Sequence, residues 1–168
     1  KHYEPHVSEN YKVFSLAVPK GLTFCGQEIP LKKTHVAEKL DRELLVNTYW
    51  HSNTFLMMKR ANRWFPTIER ILEEEGMPED LKYLALIESG LTTASSPAGA
   101  KGYWQFMKST GKSYLLEINN NVDERNHLEK STRAACAYLR DSYNTYSDWA
   151  LVAASYNMGA GGVNKNLR

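Results

Sequence analysis

From Thr34 onward the apolar residues of this chain recur every three or four positions, a spacing that points to helices. Val36, Ala37, Leu40, Leu44 and Leu45 keep it behind Thr34, which can cap the helix. A second stretch begins near Asn53 with Phe55, Leu56 and Met58. Pro66 either interrupts it or opens the next helix, which carries Ile68, Ile71 and Leu72. Glu73, Glu74 and Glu75 read as a solvated face before a stop at Gly76. Pro78 opens another helix, with Glu79 and Asp80 in its first turn, where acids suit the helix dipole. Residues 104–110 read as a short helix and residues 111–122 as loop. Ser131 reads as the N-cap of a helix with Ala134, Ala135, Tyr138 and Leu139 on one stripe. Ser147 or Asp148 caps the last, whose stripe is Trp149, Val152, Ala153 and Tyr156, ending at Asn157, Met158 and Gly159. No strand pair with a hairpin turn stands out, and no repeat. The expected fold class is mostly α.

Before Thr34 the chain reads differently. Pro5, Pro19, Gly21, Gly26 and Pro30 exclude a long helix, and Val13, Phe14, Leu16, Ala17 and Val18 form a short apolar run. Residues 1–34 are therefore expected to be an N-terminal extended arm or linker, and residues 35–168 the domain proper. A chain of 168 residues makes about one domain with a proper core. Its net charge is +2, with Lys and Arg scattered among acids, which argues against the clustered basic face of a nucleic-acid binder. No run approaches the length of a membrane span. The opening KHYEPH lacks a signal pattern, so the chain is expected to be either cytosolic or a mature piece of something longer. It closes on GGVNKNLR inside what reads as an element, so a C-terminal truncation is expected. Cys25 and Cys136 could pair only in an oxidising compartment, and Cys136, in an Ala-rich helix, reads as a free buried thiol. His2, His6, His35, His51 and His127 show no ligand spacing beyond the first pair, so no metal and no cofactor are expected.

The chemistry concentrates in residues 81–107. Leu81, Leu84 and Ala85 form the apolar stripe of a short helix, and the next position on that stripe is Glu88. A carboxylate thus stands where an apolar side chain belongs, with no Lys or Arg one turn before it. Gly90 ends the helix, so Glu88 lies in its last turn, at the negative end of the dipole. Burial and dipole both favour the protonated acid near neutral pH. The plainer alternative is a Glu at the helix edge, reaching out to water. The following loop, TTASSPAGAKG, is built of small residues that allow tight turns and close backbone approach.

Three separated words, ESG at 88–90, SPAGAKGYWQFMKST at 96–110 and SYNMGAGGV at 155–163, resemble the lytic transglycosylases with a goose-lysozyme-like domain, glycoside hydrolase family 23. DLKYLALIESGL, VDERN and CAYLRDSY look most like the membrane-bound lytic murein transglycosylase D branch of that family. The resemblance covers roughly residues 41–163. It implies a lysozyme-like helical domain that cuts the β-1,4 bond between N-acetylmuramic acid and N-acetylglucosamine in peptidoglycan. Water is not the attacking group in that family. The muramic acid 6-hydroxyl closes on its own anomeric carbon and leaves a 1,6-anhydro end.

Glu88 would be the lone catalytic acid, giving a proton to the leaving oxygen and then taking one from the 6-hydroxyl, with the 2-acetamido oxygen supporting the cation. Ser96 matches the serine of the family's S-x-x-G-A word, for contact with the acetamido group or glycan, or it starts an ST-turn. Gln105 matches the glutamine of G-x-x-Q, for a sugar hydroxyl or acetamide, or it caps the loop. Met107 lines the cleft or packs in the core. Tyr156 and Asn157 match the A-Y-N word, and Tyr156 is expected to hydrogen-bond Glu88. Ser89 is expected to close the helix end through a free carbonyl. Tyr103 and Trp104 stand where many relatives carry Leu and Met, and Ser155 replaces an Ala. The ten Tyr and four Trp offer flat faces for sugars. The implied partner is the glycan strand, with no nucleic acid. The implied state is a monomer in the bacterial cell envelope, in the periplasm, with a membrane anchor or sugar-binding repeats outside this stretch. Two rivals stand beside it. A goose-type lysozyme would hydrolyse the same bond and need a second carboxylate. Asp123 and Glu124 are available, but their DER word reads better as fixing a loop through Arg125. A non-catalytic peptidoglycan-binding module would be expected to lose Glu88.

Overall fold

In the computed structural model, which describes residues 16–167, nearly all regular structure is helical. A hairpin of β1 (Thr23–Phe24) and β2 (Gln27–Glu28) comes first, then α1 (Thr34–Tyr49) and α2 (His51–Glu74). A 3-10 turn (Glu79–Leu81) runs into α3 (Lys82–Ser89), followed by α4 (Lys108–Ser113). A second 3-10 turn (Glu124–Asn126) leads to α5 (Leu128–Tyr146) and α6 (Trp149–Asn166). The mostly α expectation holds.

The core sits where α2 lies against α5, with α3 on α2 and α6 on α5. The 3.6-residue stripes supply it: Ile68, Ile71 and Leu72 from α2, Ala134, Ala135 and Leu139 from α5, and Val152 from α6 are all closed to solvent or nearly so. Leu81, Leu84 and Ala85 face the same core. Trp104, from the loop after α3, is fully enclosed and donates its indole N–H to Thr132 Oγ1 on α5 at 3.0 Å. Lys82 is buried and anchors α3 to α2 through Glu69 at 2.6 Å.

Several boundaries differ from the expectation. Pro66 neither breaks α2 nor starts a helix; it lies inside one continuous element. Pro66 and Asn62, whose carbonyl loses its partner, are both on the exposed side, while Ile68 and Ile71 hold the other side in place. Lys33, not Thr34, is the N-cap residue of α1, and no side chain caps that end. His127, not Ser131, caps α5; Ser131 sits in the first turn and donates to the His127 carbonyl at 2.8 Å. Residues 104–107 are not helical, because Gln105 adopts a left-handed backbone (φ +49°) and Lys101 pairs with Phe106. Glu74 and Glu75 are not merely solvated: they meet Arg133, and Glu75 also Arg140, across the α2–α5 seam. A hairpin does exist, turned by Cys25 (φ +50°) and Gly26 (φ +76°), but strands of two residues leave no alternation to read.

That hairpin is tied to the domain. The Cys25 N–H donates to Asp80 at 2.7 Å, and the Gln27 side chain accepts from the Trp149 N–H at 2.8 Å and donates to Asp148 at 3.3 Å. Val13, Phe14, His2 and His6 lie outside the described residues. Both cysteine thiols are free. Asp148 caps α6 as expected, accepting from the Leu151 N–H at 2.9 Å, and Gly159 (φ +75°, ψ +156°) breaks its helical backbone where the stop was read. No described helix is long and apolar enough to cross a membrane.

Candidate active site

Gly90 stops α3 in a left-handed conformation (φ +59°), which leaves Glu88 in the last turn. Its side chain continues the buried stripe of Leu81, Leu84 and Ala85 and is half-buried. Among the described residues it has no hydrogen-bond or ion-pair partner. Burial pushes its carboxyl above the ordinary value, in the direction read from the sequence.

Ser89 turns the chain into the loop. Its hydroxyl lies 2.8 Å from the Tyr103 carbonyl and 3.1 Å from that of Ala85, and the Thr92 hydroxyl donates to the Ser89 carbonyl at 2.8 Å. The helix end is thereby joined to the far side of the loop. Within the loop, Ser96 Oγ accepts from the Ala100 N–H at 3.1 Å, four residues on and not the two of the ST-turn that was its plainer reading. Gln105 Nε2 donates to the carbonyls of Ala94 and Gly102, each at 2.9 Å. Its Oε1 is left without a donor among the described residues.

Arg125 holds this loop from beneath. It is 6% exposed and donates to the carbonyls of Gly99 and Phe106, both at 3.0 Å. Asp123 grips the same guanidinium at 2.9 and 2.8 Å, and Lys101 reaches Asp123 at 3.3 Å. Arg125 and Lys101 hold the Asp123 carboxyl down at about 2. Gly102 (φ +83°) runs against the main chain of Arg125: a Cβ there would lie 1.8 Å from the Arg125 carbonyl oxygen. The loop-fixing role read for the DER word is what the structure places here.

Tyr156 departs from the expectation. Its hydroxyl donates to the Trp104 carbonyl at 2.6 Å rather than to Glu88. The hydroxyl is enclosed, so burial first, then the nearby Glu88 charge and Tyr138, push it well above the usual phenol range. Trp104, Phe106, Tyr114, Tyr138 and Tyr156 form one aromatic cluster, with Tyr138 and Tyr156 centroids 5.3 Å apart and edge-on. Tyr138 was legible only as a stripe residue of α5, because nothing in its spacing distinguishes support of a site from support of a core. Met107 is 43% exposed at the start of α4, and Asn157 is exposed just before the Gly159 break. No three residues of the metal-ligating types gather among the described residues.

The family model described as Transglycosylase SLT domain matches residues 65–168. Membrane-bound lytic murein transglycosylase D of Escherichia coli strain K12 is 31% identical over 150 residues, 86% of this chain and 32% of that protein. The protein of the same name from Escherichia coli O6:H1 aligns equally well. A putative tributyltin chloride resistance protein of Alteromonas sp. strain M-1 is 30% identical over 112 residues, 66% of this chain and 54% of that protein. The chain spans about a third of the length of the first two relatives.

Proposed function

The chain belongs to the transglycosylase SLT family, and from that premise we propose that it cleaves the β-1,4 bond between N-acetylmuramic acid and N-acetylglucosamine in peptidoglycan without water. Glu88 gives its proton to the glycosidic oxygen as the bond from the anomeric carbon breaks. The 2-acetamido oxygen steadies the cation. The muramic acid 6-hydroxyl then attacks the anomeric carbon, and its proton returns to Glu88, so the catalyst is regenerated and the new end is a 1,6-anhydro sugar. The observation that carries this reading is the state of Glu88: half-buried, unpartnered among the described residues and with its carboxyl raised by burial.

The hydrolytic rival needs a second carboxylate to activate water. Asp123 is committed to Arg125 and Lys101, and Glu124 to Lys130 and the Glu117 N–H. Both acids are held below their ordinary values by those partners, which suits an anchor and not a base. In the reading proposed here, Gln105 offers Oε1 and Ser96 its proton to the sugar, while Met107 and Asn157 lie along the bound strand. Tyr156 positions the backbone at Trp104. The protein works on glycan strands in the bacterial cell envelope, on the periplasmic side, as a monomer. Mass spectrometry of digested sacculi tests the reaction. Anhydro-ended fragments, one water lighter than reducing-end fragments, are expected; reducing ends alone would establish the lysozyme instead.

A further inference from the structure

Beside the Ser89–Tyr103 junction lies a concave region of about 450 Å³ that the mechanism above leaves unused. One wall is α2, which contributes Lys59, Arg60 and Arg63, and the other is the start of the loop, with Thr92, Thr93 and the edge of Tyr103. Three cations lie within five consecutive residues, two of them on one helix face at i and i+4. Of the other described cations, Arg42, Arg70, Lys82, Lys101, Arg125, Lys130, Arg133 and Arg140 each meet a carboxylate, while Lys20, Lys32, Lys33, Lys39, Lys108, Lys112 and Lys165 meet none. Lys59, Arg60 and Arg63 meet none among the described residues. Arg60 is spent on structure, donating to the Gly90 carbonyl at 3.2 Å. Arg63 lies over the Trp64 ring at 4.4 Å, an arrangement that holds the guanidinium in place. Lys59 and Arg63 are exposed.

Resting on the peptidoglycan reading, we propose that Lys59 and Arg63, with the hydroxyl of Thr93, form a subsite for a carboxylate carried on the lactyl arm of the substrate's muramic acid. Two features on opposite walls agree. The helix supplies positive charge with no carboxylate partner among the described residues, and the loop supplies a neutral donor in the Thr93 hydroxyl. Arg60 joins the two walls at a carbonyl two residues from Glu88, so the subsite is continuous with the catalytic helix end. The carboxylate has two sources in this polymer: the peptide attached to the lactyl group, or the lactyl group itself where the peptide has been removed.

The test uses the full chain carrying Glu88→Gln, so that binding is read without turnover, in co-sedimentation with sacculi at low salt. The probes are native sacculi, sacculi whose carboxylates have been converted to amides, and amidase-treated strands that keep only the lactyl carboxylate. Native sacculi are expected to bind about five- to ten-fold tighter than amidated sacculi, and added salt should erode the difference. Lys59→Glu with Arg63→Glu should bring the ratio to about one, and the milder Lys59→Gln with Arg63→Gln should do the same if the first pair fails to fold. A parent with no preference for native sacculi, or a preference that survives either pair, overturns the subsite. Preference kept on amidase-treated strands assigns the lactyl carboxylate, and preference lost there assigns the peptide. Anhydro products from a parent without the preference would sink the subsite alone. The preference without anhydro products would sink the reaction and leave the subsite standing.

Discussion

Glu88 is a carboxyl without a partner among the described residues, and two consequences follow at the scale of that one side chain. In the proposed role of sole acid and base it should be indispensable: Glu88→Gln is expected to lower the cleavage rate by at least ~10²-fold, read from muropeptide release. The second consequence is thermodynamic. Burial makes the folded chain hold the Glu88 proton to higher pH than the unfolded chain does. Between the two values the folded state binds more protons, so stability falls as pH rises through that window. Glu88→Gln removes the penalty. It should therefore melt above the parent at neutral pH, with the gap closing below the ordinary carboxyl value of 4.5. Equal melting temperatures at neutral pH would mean that the carboxyl is fully hydrated. Tyr156 makes a different kind of contribution, because its hydroxyl serves the Trp104 carbonyl. Tyr156→Phe should cost about 1–3 kcal/mol in urea unfolding, the price of an unpaired interior carbonyl. The limb of the pH–rate profile set by Glu88 should stay where it is; a displaced limb would restore the direct Tyr156–Glu88 bond expected from the sequence.

At the scale of elements, the loop between α3 and α4 is shaped less by its own residues than by the DER word that follows it. Arg125 binds two of its carbonyls, and Gly102 must pass so close that any Cβ would collide with the Arg125 backbone. Gly102→Ala is expected to displace the loop while sparing the helices. Circular dichroism should be unchanged while cleavage falls by about 10²-fold, the usual effect of moving reacting groups by an ångström or so. Retained activity would show that the loop is not held to that precision. This dependence on a distant word explains what could be read from the sequence. Periodicity placed Glu88, Gly90 and the stripes of α2, α5 and α6, because burial on a helix writes itself at fixed spacing. It read residues 104–110 as one short helix, although Trp104 and Phe106, two positions apart, do not share a helix face. Only contact with Arg125 and Thr132 turns them into a loop that plugs the core. Pro66 misled for a related reason: a proline is a stop signal only when packing on either side does not outweigh one lost hydrogen bond. The bond between Tyr156 and Trp104 spans 52 positions and has no local signature at all. The cations at 59, 60 and 63 had none either, since being unpaired is a property of the folded surface.

For the whole molecule, the arrangement separates what holds the chain together from what aims its chemistry. The α2–α5–α6 core is built mainly of aliphatic side chains, and Leu139 sits fully enclosed within it on α5. The active-site loop meets that core chiefly through Trp104 and its bond to Thr132, two turns earlier on the same helix. Leu139→Ala should open a cavity costing about 2–5 kcal/mol, which for a chain of this size lowers the melting temperature by roughly 5–20 °C. Below that lowered transition, cleavage should keep the parent's pH profile, because neither Arg125, Ser89 nor the Glu88 turn depends on the lost methyl groups. Combining Leu139→Ala with Gly102→Ala puts the separation to the test. If core and loop are independent, their effects on unfolding free energy add to within about 0.5 kcal/mol. A coupling well beyond that would mean that Trp104 transmits core packing to the loop, so that site geometry and global stability are set by one cluster.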